Sequence, residues 1–143
     1  VFSLSFRGLH GEDLISRMFE WLPGGVAADI WFLMLLVFVL GFFLDPFEIL
    51  FIIVPIACPV LITMGADPLW LGVLIALNLQ TSFLTPPFGF SLFYLRSVAP
   101  PEVTTGHIYR GIVPFVVIQV LAIAAVWVMP SLATGLPRRF LGY

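Results

Sequence analysis

The stretch that decides the fold is Gln80-Thr81-Ser82-Phe83-Leu84-Thr85-Pro86-Pro87-Phe88-Gly89, which lies inside a segment, Pro68 to Leu95, without any formal charge. Pro86 and Pro87 each lack a backbone N–H, and their rings clash with the preceding helical turn. A helix that enters this stretch must therefore end, and another must begin near Gly89. The carbonyl groups released at such a break need partners, because an unsatisfied backbone group in hydrocarbon costs several kcal/mol.

The composition is that of an integral membrane protein. Of the 143 residues, 61% are hydrophobic and 10% are charged, and the mean hydropathy is +1.13, which is too apolar for a soluble domain. The net charge of −2, with scattered Arg and no Lys, argues against binding to nucleic acid. The 12 Pro and 12 Gly are more than uninterrupted spans need, which favours interrupted helices.

The chain on either side of the break is predicted to form two half-helices, from Leu69 to Gln80 and from Phe90 to Val98. In hydrocarbon, such a break is tolerated only where protein or a water-filled cavity surrounds it. Broken membrane helices are for that reason candidate sites for ions and substrates.

Two short apolar segments precede the broken helix. The first runs from Asp29 to Leu44 and would be roughly 24 Å long as a helix, shorter than a hydrocarbon core about 30 Å thick. The second runs from Glu48 to Met64, with Asp45-Pro46 between the two. This pattern favours a re-entrant hairpin, which enters and leaves by the same membrane face, over two complete spans with Asp45-Pro46 outside the membrane.

The remaining segments complete the organisation of the chain. Apolar residues at helical spacing from Gly11 to Leu22 predict a short amphipathic helix at the membrane interface or a connector between spans. Ile112 to Met129 is predicted to be an uncomplicated span, which the flanking arginines do not orient. Because the chain opens at Val1 without a signal-peptide pattern, we expect it to be the C-terminal portion of a longer polypeptide.

The predicted fold class is therefore an all-α polytopic membrane protein with a re-entrant helical hairpin, a broken transmembrane helix and a closing transmembrane helix. Its predicted segments are 1–25, the end of a preceding helix plus the amphipathic interfacial helix; 26–66, the hairpin; 67–99, the broken helix; 100–111, a polar loop; and 112–143, the final transmembrane helix and C-terminal tail.

Asp45 and Glu48 are two carboxylates near the predicted hairpin tip. A carboxylate at mid-bilayer depth costs about 2.5–3.5 kcal/mol on insertion scales, and no basic residue between Arg17 and Arg96 neutralises them. A cation or a proton would do so. The alternative is ordinary helix-start chemistry, with Asp45 capping the next helix and Glu48 in its first turn.

Several side-chain oxygens surround the break, contributed by Asn78, Gln80, Thr81, Ser82 and Thr85. Hard cations such as Na⁺ prefer oxygen ligands, and the C-terminal end of a half-helix adds negative dipole character. The N-terminus of the second half-helix favours an anionic substrate group. Polar residues also hydrogen-bond neighbouring helices at about 0.6 kcal/mol each. That packing role is favoured for Asn78 alone, and a binding site is favoured for the whole cluster.

No enzyme motif is found in the sequence. There is no Gly-x-Ser-x-Gly, no His-Glu-x-x-His and no glycine-rich phosphate loop, and His10 and His107 are predicted to lie in polar loops. We therefore expect no catalytic residue and no cofactor.

Six motifs follow one another along the chain: Gly41-Phe42-Phe43-Leu44-Asp45-Pro46, Ile53-Val54-Pro55-Ile56-Ala57-Cys58-Pro59, Gly65-Ala66-Asp67-Pro68, Asn78-Leu79-Gln80-Thr81, Thr85-Pro86-Pro87-Phe88-Gly89 and His107-Ile108-Tyr109-Arg110-Gly111. In this order and spacing the chain resembles the large membrane subunit of tripartite ATP-independent periplasmic (TRAP) transporters.

This resemblance implies a secondary transporter of the elevator type in the bacterial inner membrane, with two inverted repeats of which this chain holds the second. It also implies coupling to Na⁺, a small TRAP membrane subunit, and a periplasmic substrate-binding protein that delivers an organic acid. On this chain, Gly41 to Pro46 corresponds to the hairpin tip region and Thr81 to Gly89 to the loop of the broken helix. The Na⁺ contacts implied are Thr81, Thr85, Pro86 and carbonyls near Gly41.

The sequence thus predicts sodium-coupled uptake of an organic acid or anion by the C-terminal half of a TRAP-type large permease subunit. The alternative is a non-transporting membrane assembly or anchor subunit. The candidate sodium-binding and substrate-binding residues are Gly41, Asp45, Asn78, Gln80, Thr81, Ser82, Thr85, Pro86 and Gly89.

Overall fold

The structure, a computed structural model, describes Asp13, Arg17, Trp21, residues 23–86 and residues 89–142. From Gly25 onward, the elements in the described ranges are all helices: α1 (Gly25–Leu40), α2 (Pro46–Thr63), α3 (Pro68–Leu84), α4 (Phe90–Val98), α5 (Thr105–Val128) and α6 (Ser131–Leu141). The all-helical class is confirmed. The amphipathic helix predicted for Gly11 to Leu22 lies outside the described residues apart from three isolated positions, and so do Pro87 and Phe88.

Two of the helices begin with the same Asp-Pro pair. Asp45 Oδ1 accepts a hydrogen bond from the Phe47 N–H at 2.9 Å, and Asp67 Oδ1 accepts from the Leu69 N–H at 2.9 Å. The proline that follows each Asp occupies the start of the helix, where no N–H is needed. The capping role considered for Asp45 is therefore confirmed.

α2 is wider than an ordinary α-helix over Ile49–Ile53, where five residues form a π-helical segment. This segment lies just before Pro55, whose ring would clash with the carbonyl four residues earlier in a regular helix. The Val54 N–H instead donates to the Ile49 carbonyl, five residues back. The wider turn keeps α2 continuous across its prolines.

α1, α2 and α3 pack around one apolar core. Its fully buried side chains come from all three helices and include Leu33, Val37, Ile49, Leu61, Leu71 and Leu74. Val26, near the start of α1, lines a cavity together with Gly65 and Ala66, which follow α2. α1 and α2 are therefore antiparallel arms joined by the turn at residues 41–45.

α5 runs antiparallel to α3 and passes the break. Near the C-terminal end of α5, the Val126 carbonyl accepts a hydrogen bond from Trp70 Nε1 of α3 at 2.8 Å. Near its N-terminal end, Ile108 and Ile112 pack against Leu92 of α4. Within the described residues, α2 and α5 are long and apolar enough to cross a membrane, whereas α1 and α3 are shorter apolar helices.

Several boundaries differ from those predicted from the sequence. α1 runs from Gly25 to Leu40, not from Asp29 to Leu44; α2 begins at Pro46, not Glu48; α3 continues to Leu84, beyond Gln80; and α5 begins at Thr105, inside the predicted polar loop. A further helix, α6, replaces part of the predicted tail. α3 continues to Leu84 because a proline excludes only the residue directly before it from helical geometry. That residue is Thr85, which is extended with φ −83° and ψ 124°.

α5 starts early because of a capping box that the sequence analysis assigned to a loop. The His107 N–H donates to Thr104 Oγ1 at 3.3 Å, and the Thr104 N–H donates to His107 Nδ1 at 3.4 Å. The prediction that His107 lies in a loop is wrong.

The turn between α2 and α3 is tied to α6 by an ion pair between Asp67 and Arg138. The pKa of Asp67 is lowered, first by the Trp70 N–H that donates to its carboxylate and then by Arg138. A carboxyl with a lower pKa in the folded state stabilises the fold above its unfolded pKa, about 3.9, and loses this contribution as the pH falls through its folded pKa.

We predict that Asp67→Asn, which keeps a capping side chain but removes the charge, lowers the thermal unfolding midpoint of the purified protein at about pH 7. The difference from wild type should shrink as the pH falls below about 4 and vanish below the folded pKa. A difference that stays constant over this pH range would show that the Asp67 charge does not stabilise the fold.

Candidate functional site

The turn after α1 lies directly against the last turn of α3. A Cβ added at Gly41 would overlap Ser82 Oγ and lie 2.8 Å from Ser82 Cβ. Both residues are buried, and Ser82 has no exposed surface. Only glycine permits this approach, so the hairpin tip and the end of the first half-helix meet at one contact.

Asn78 ties the same two helices together one turn earlier in α3. Its Nδ2 donates to the Met34 carbonyl of α1 at 2.7 Å, and the contact is buried. This is the interhelical hydrogen bond favoured for Asn78 on sequence grounds, and the structure confirms it. It holds α1 and α3 together about two helical turns before the break.

The hydroxyl groups at the end of α3 all donate to carbonyls of α3 itself. Thr81 donates to Leu77 O at 2.7 Å, Ser82 to Leu79 O at 2.8 Å, and Thr85 to Thr81 O at 2.7 Å. Because each hydroxyl proton is used in this way, the lone pairs of the same oxygen remain to accept a hydrogen bond or contact a cation. The local chemistry is therefore that of acceptors.

At the break, Thr85 and Gly89 lie against the last turn of α3. Pro86 and Pro87 cannot supply the N–H groups that would bond to the Ser82 and Phe83 carbonyls in a continuing helix. The Thr85 N–H donates to the Ser82 carbonyl at 3.3 Å. A Cβ at Gly89 would overlap the Phe83 carbonyl oxygen and lie 3.1 Å from Thr85 O. Gly89 therefore lets the chain return close to the backbone of the last turn of α3.

A groove of about 330 Å³ lies next to this contact, between α1, α3 and α5. Its walls are mainly apolar and aromatic, with Trp31, Phe38 and Trp127 among the lining residues. Asn78 and Thr81 contribute an amide and a hydroxyl to the lining. Thr81 thus connects the end of α3 with the groove.

Most of the predicted site residues come together here. Buried in this region are Gly41, Asn78, Thr81, Ser82 and Gly89, with Thr85 and Pro86 half-buried beside them. Asp45 and Gln80 are not part of the buried cluster. Asp45 is exposed at the start of α2, and Gln80 is exposed on α3.

A cation at the break would be held by neutral oxygens. Across residues 23–86 and 89–142, no group of three or more His, Cys, Asp and Glu residues is placed to hold a metal ion. Hydroxyl and carbonyl oxygens are ligands for hard cations, and Na⁺ is of that kind. The residues present fit Na⁺ better than they fit a transition metal.

Two buried polar residues, Thr134 and Asp29, were not singled out from the sequence. Asp29 in α1 is 1% exposed, and its Oδ1 has no hydrogen-bond partner in the described part of the chain. A buried acidic residue without a partner calls for an explanation. The only signal in the sequence was that Asp29 stands at the start of an apolar segment, and a charged residue at the membrane interface occupies the same kind of position.

Comparison with known proteins decides the family. The family profile described as the DctM component of the tripartite ATP-independent periplasmic transporter matches residues 2–132. The chain belongs to this TRAP permease family. Its relatives are integral membrane permeases, which are transporters and not enzymes. No solved structure matches the chain.

Individual relatives agree with this assignment. The sialic acid TRAP transporter large permease protein SiaM of Vibrio cholerae is 36% identical over 109 residues, which are 76% of this chain and 25% of SiaM. The C4-dicarboxylate permease DctM of the same organism is 31% identical over 76% of this chain and 23% of its own length. The ectoine permease TeaC of Halomonas elongata is 31% identical over 67% of this chain and 22% of its own length. The matched region is thus about a quarter of each relative.

We predict that Gly41→Ala destabilises the protein by about 1–3 kcal/mol, because the added methyl group overlaps Ser82. Gly72→Ala is the matched control: Gly72 lies inside α3 with open space around it, so alanine there should stabilise the helix by about 0.5–1 kcal/mol. Denaturant unfolding in detergent would measure both changes.

Adding Ser82→Gly to Gly41→Ala should recover most of the lost stability, because it removes the atoms that the new methyl group meets. If Gly41→Ala proved as stable as Gly72→Ala, the contact between the hairpin tip and α3 would be absent.

Proposed function

We propose that this chain carries the sodium-binding and substrate-binding elements of one repeat of a TRAP-type large permease subunit, which takes up an organic acid across the bacterial inner membrane. The observation that carries the proposal is the contact of Gly41 with Ser82, which brings the hairpin tip to the broken helix. Secondary transporters bind substrates and coupling ions where helices are interrupted in this way.

Electrostatics at this contact favour a cation. α1 ends at Leu40 and α3 ends at Leu84, so the C-terminal ends of two helices lie side by side. Each helix C-terminus carries a partial charge of about −0.5. A single monovalent cation would offset the combined partial charge of the two helix ends, and this supports Na⁺ as the coupling ion. Thr81, Thr85 and Pro86, with carbonyls near Gly41, are the proposed ligands.

An anionic substrate group would suit the other side of the break. α4 begins after Gly89, which has no side chain that could cap its first turn. Backbone N–H groups at a helix N-terminus attract carboxylates, because they carry unused donors and a partial positive charge. The ends of α3 and α4 can therefore hold a cation and an anion next to each other, so that each favours the binding of the other.

The length of α1 supports the re-entrant form of the hairpin. α1 has 16 residues and measures roughly 24 Å at about 1.5 Å per residue, which is shorter than a hydrocarbon core about 30 Å thick. α2 has 18 residues and is long enough to cross a membrane, so α1 is the arm that favours re-entry. We propose that residues 26–66 enter and leave by one face, and that 67–99 form the broken span.

The rest of the transporter is proposed from the family. It comprises the first of the two inverted repeats, which moves with this one as an elevator in a multi-pass subunit, together with a small membrane subunit and a periplasmic binding protein. Organic acids are the proposed substrate class, because two of the similar permeases are named for sialic acid and C4-dicarboxylates.

We predict that Thr81→Ala and Thr85→Ala each raise the Na⁺ concentration needed for half-maximal uptake about tenfold, the change expected when a contact of about 1.4 kcal/mol is lost. Thr63→Ala is the matched control, since its hydroxyl donates to Val60 O at 2.7 Å in the same way but lies at the far end of α2. Thr81→Ser, which keeps the hydroxyl, should behave as wild type.

Uptake would be measured in proteoliposomes that hold the complete transporter, with Na⁺ replaced stepwise by choline. Unchanged sodium dependence in Thr81→Ala and Thr85→Ala, at normal expression, would remove these residues from the site. An equal shift in Thr63→Ala would show that the effect is one of helix stability.

A further inference from the structure

α6 presents an apolar stripe away from the protein. Leu132, Leu136 and Phe140 are 55%, 71% and 77% exposed. Residues four positions apart lie on the same side of a helix, so these side chains form one continuous surface. The family match ends at residue 132, so most of α6 lies beyond it.

The opposite side of α6 is fixed to the bundle. Thr134 is buried, and Ala133 packs against the main apolar core. Arg138 pairs with Asp67 at the start of α3. Because these contacts hold the inner side, the stripe of Leu132, Leu136 and Phe140 has a defined outward orientation.

The surroundings of α6 mark a membrane–water interface. Trp127 of α5 lies 4.8 Å from Trp31 and 5.2 Å from Trp70, measured between ring centroids. Tryptophan is enriched where membrane meets water. α6 begins four residues after Trp127, and Val128 and Met129 between them are largely exposed. The stripe therefore continues the apolar surface of a membrane-crossing helix.

Arg139 stands beside the stripe and differs from its neighbour Arg138. It is exposed, and no ion pair or hydrogen bond joins it to the described part of the chain. A guanidinium group matches the geometry of a phosphate and binds it through two hydrogen bonds. A helix with an apolar stripe flanked by Arg is typical of helices that lie in the bilayer surface.

We propose that α6 is an interfacial helix. Leu132, Leu136 and Phe140 lie among the outer acyl carbons, and Arg139 binds the phosphate of an anionic phospholipid. The Asp67–Arg138 pair sets the angle of the helix on the bundle, so the lipid contact anchors the start of α3 and, through it, the half-helix that leads to the break. This role is separate from transport and does not depend on the identity of the substrate.

Nitroxide labels would test the position of the stripe. Cysteines replace Leu136 and Phe140 one at a time in a Cys58→Ala background, with Glu102→Cys, in the exposed loop before α5, as the aqueous control. The full-length protein is placed in phosphatidylcholine nanodiscs that contain phosphatidylglycerol. Relaxation by oxygen, which concentrates in lipid, is compared with relaxation by a water-soluble nickel chelate.

We expect the labels at 136 and 140 to respond more to oxygen than to nickel, and the label at 102 to do the reverse. A stronger response to nickel at 136 and 140 would place α6 in water and overturn the proposal. Weak responses to both reagents would also overturn it, because they would mean that another protein surface covers the stripe.

Native mass spectrometry would test the role of Arg139. Arg139→Gln should weaken phosphatidylglycerol binding about fivefold, corresponding to about 1 kcal/mol for one basic residue at an anionic surface. Arg139→Lys, which keeps the charge, should lose less, and Arg139→Gln should weaken phosphatidylcholine binding less than phosphatidylglycerol binding, because the choline group offsets the phosphate charge. Equal phosphatidylglycerol binding by wild type and Arg139→Gln would show that Arg139 does not contact the lipid phosphate.

Discussion

The structure depends on one constraint: two helices end at the same place inside an apolar bundle, and their backbone groups must be accommodated there. α1 stops at Leu40 and α3 at Leu84, and Gly41 lies against Ser82 because it has no side chain. Thr85 and Gly89 then cover the carbonyls of the last turn. What results is a compact set of acceptor oxygens that is surrounded by apolar side chains.

The two ends of the bundle are held by different contacts. At the end with the Trp31, Trp70 and Trp127 rings, the chain is held by ordinary contacts, which are an aspartate cap, an ion pair and an indole hydrogen bond to a carbonyl. At the other end, an aspartate cap at Asp45 and the Thr104–His107 capping box are present as well. What distinguishes that end is the close approach of Gly41 to the Ser82 side chain and of Gly89 to the Phe83 carbonyl.

Much of this arrangement could be predicted from sequence, because prolines and Asp-Pro pairs act locally. Pro86 and Pro87 located the break, and Asp45-Pro46 located the start of α2. The end of α3 was placed too early because its polar residues were taken for a loop, whereas their hydroxyls bond back to the helix. Thr104 and His107 carried a capping box that a polar composition concealed.

Other features depend on contacts between distant residues and have no local signal. The burial of Ser82 against Gly41 joins positions that are far apart in the chain, and so does the pairing of Asp67 with Arg138. α6 carries a glycine, a proline and two arginines, a composition that predicts a tail. Its contact with α3 is what stabilises it as a helix.

The most direct test of the central claim is the reaction of Thr85→Cys with a small, water-soluble thiol reagent in a Cys58→Ala background. If the oxygens at the break face a pocket that water and Na⁺ can enter, this cysteine reacts, and Na⁺ but not choline slows the reaction. Leu74→Cys, in the fully buried part of α3, is the control and should not react. A cysteine at position 85 that reacts no faster than the one at position 74, or that is indifferent to Na⁺, would contradict the account.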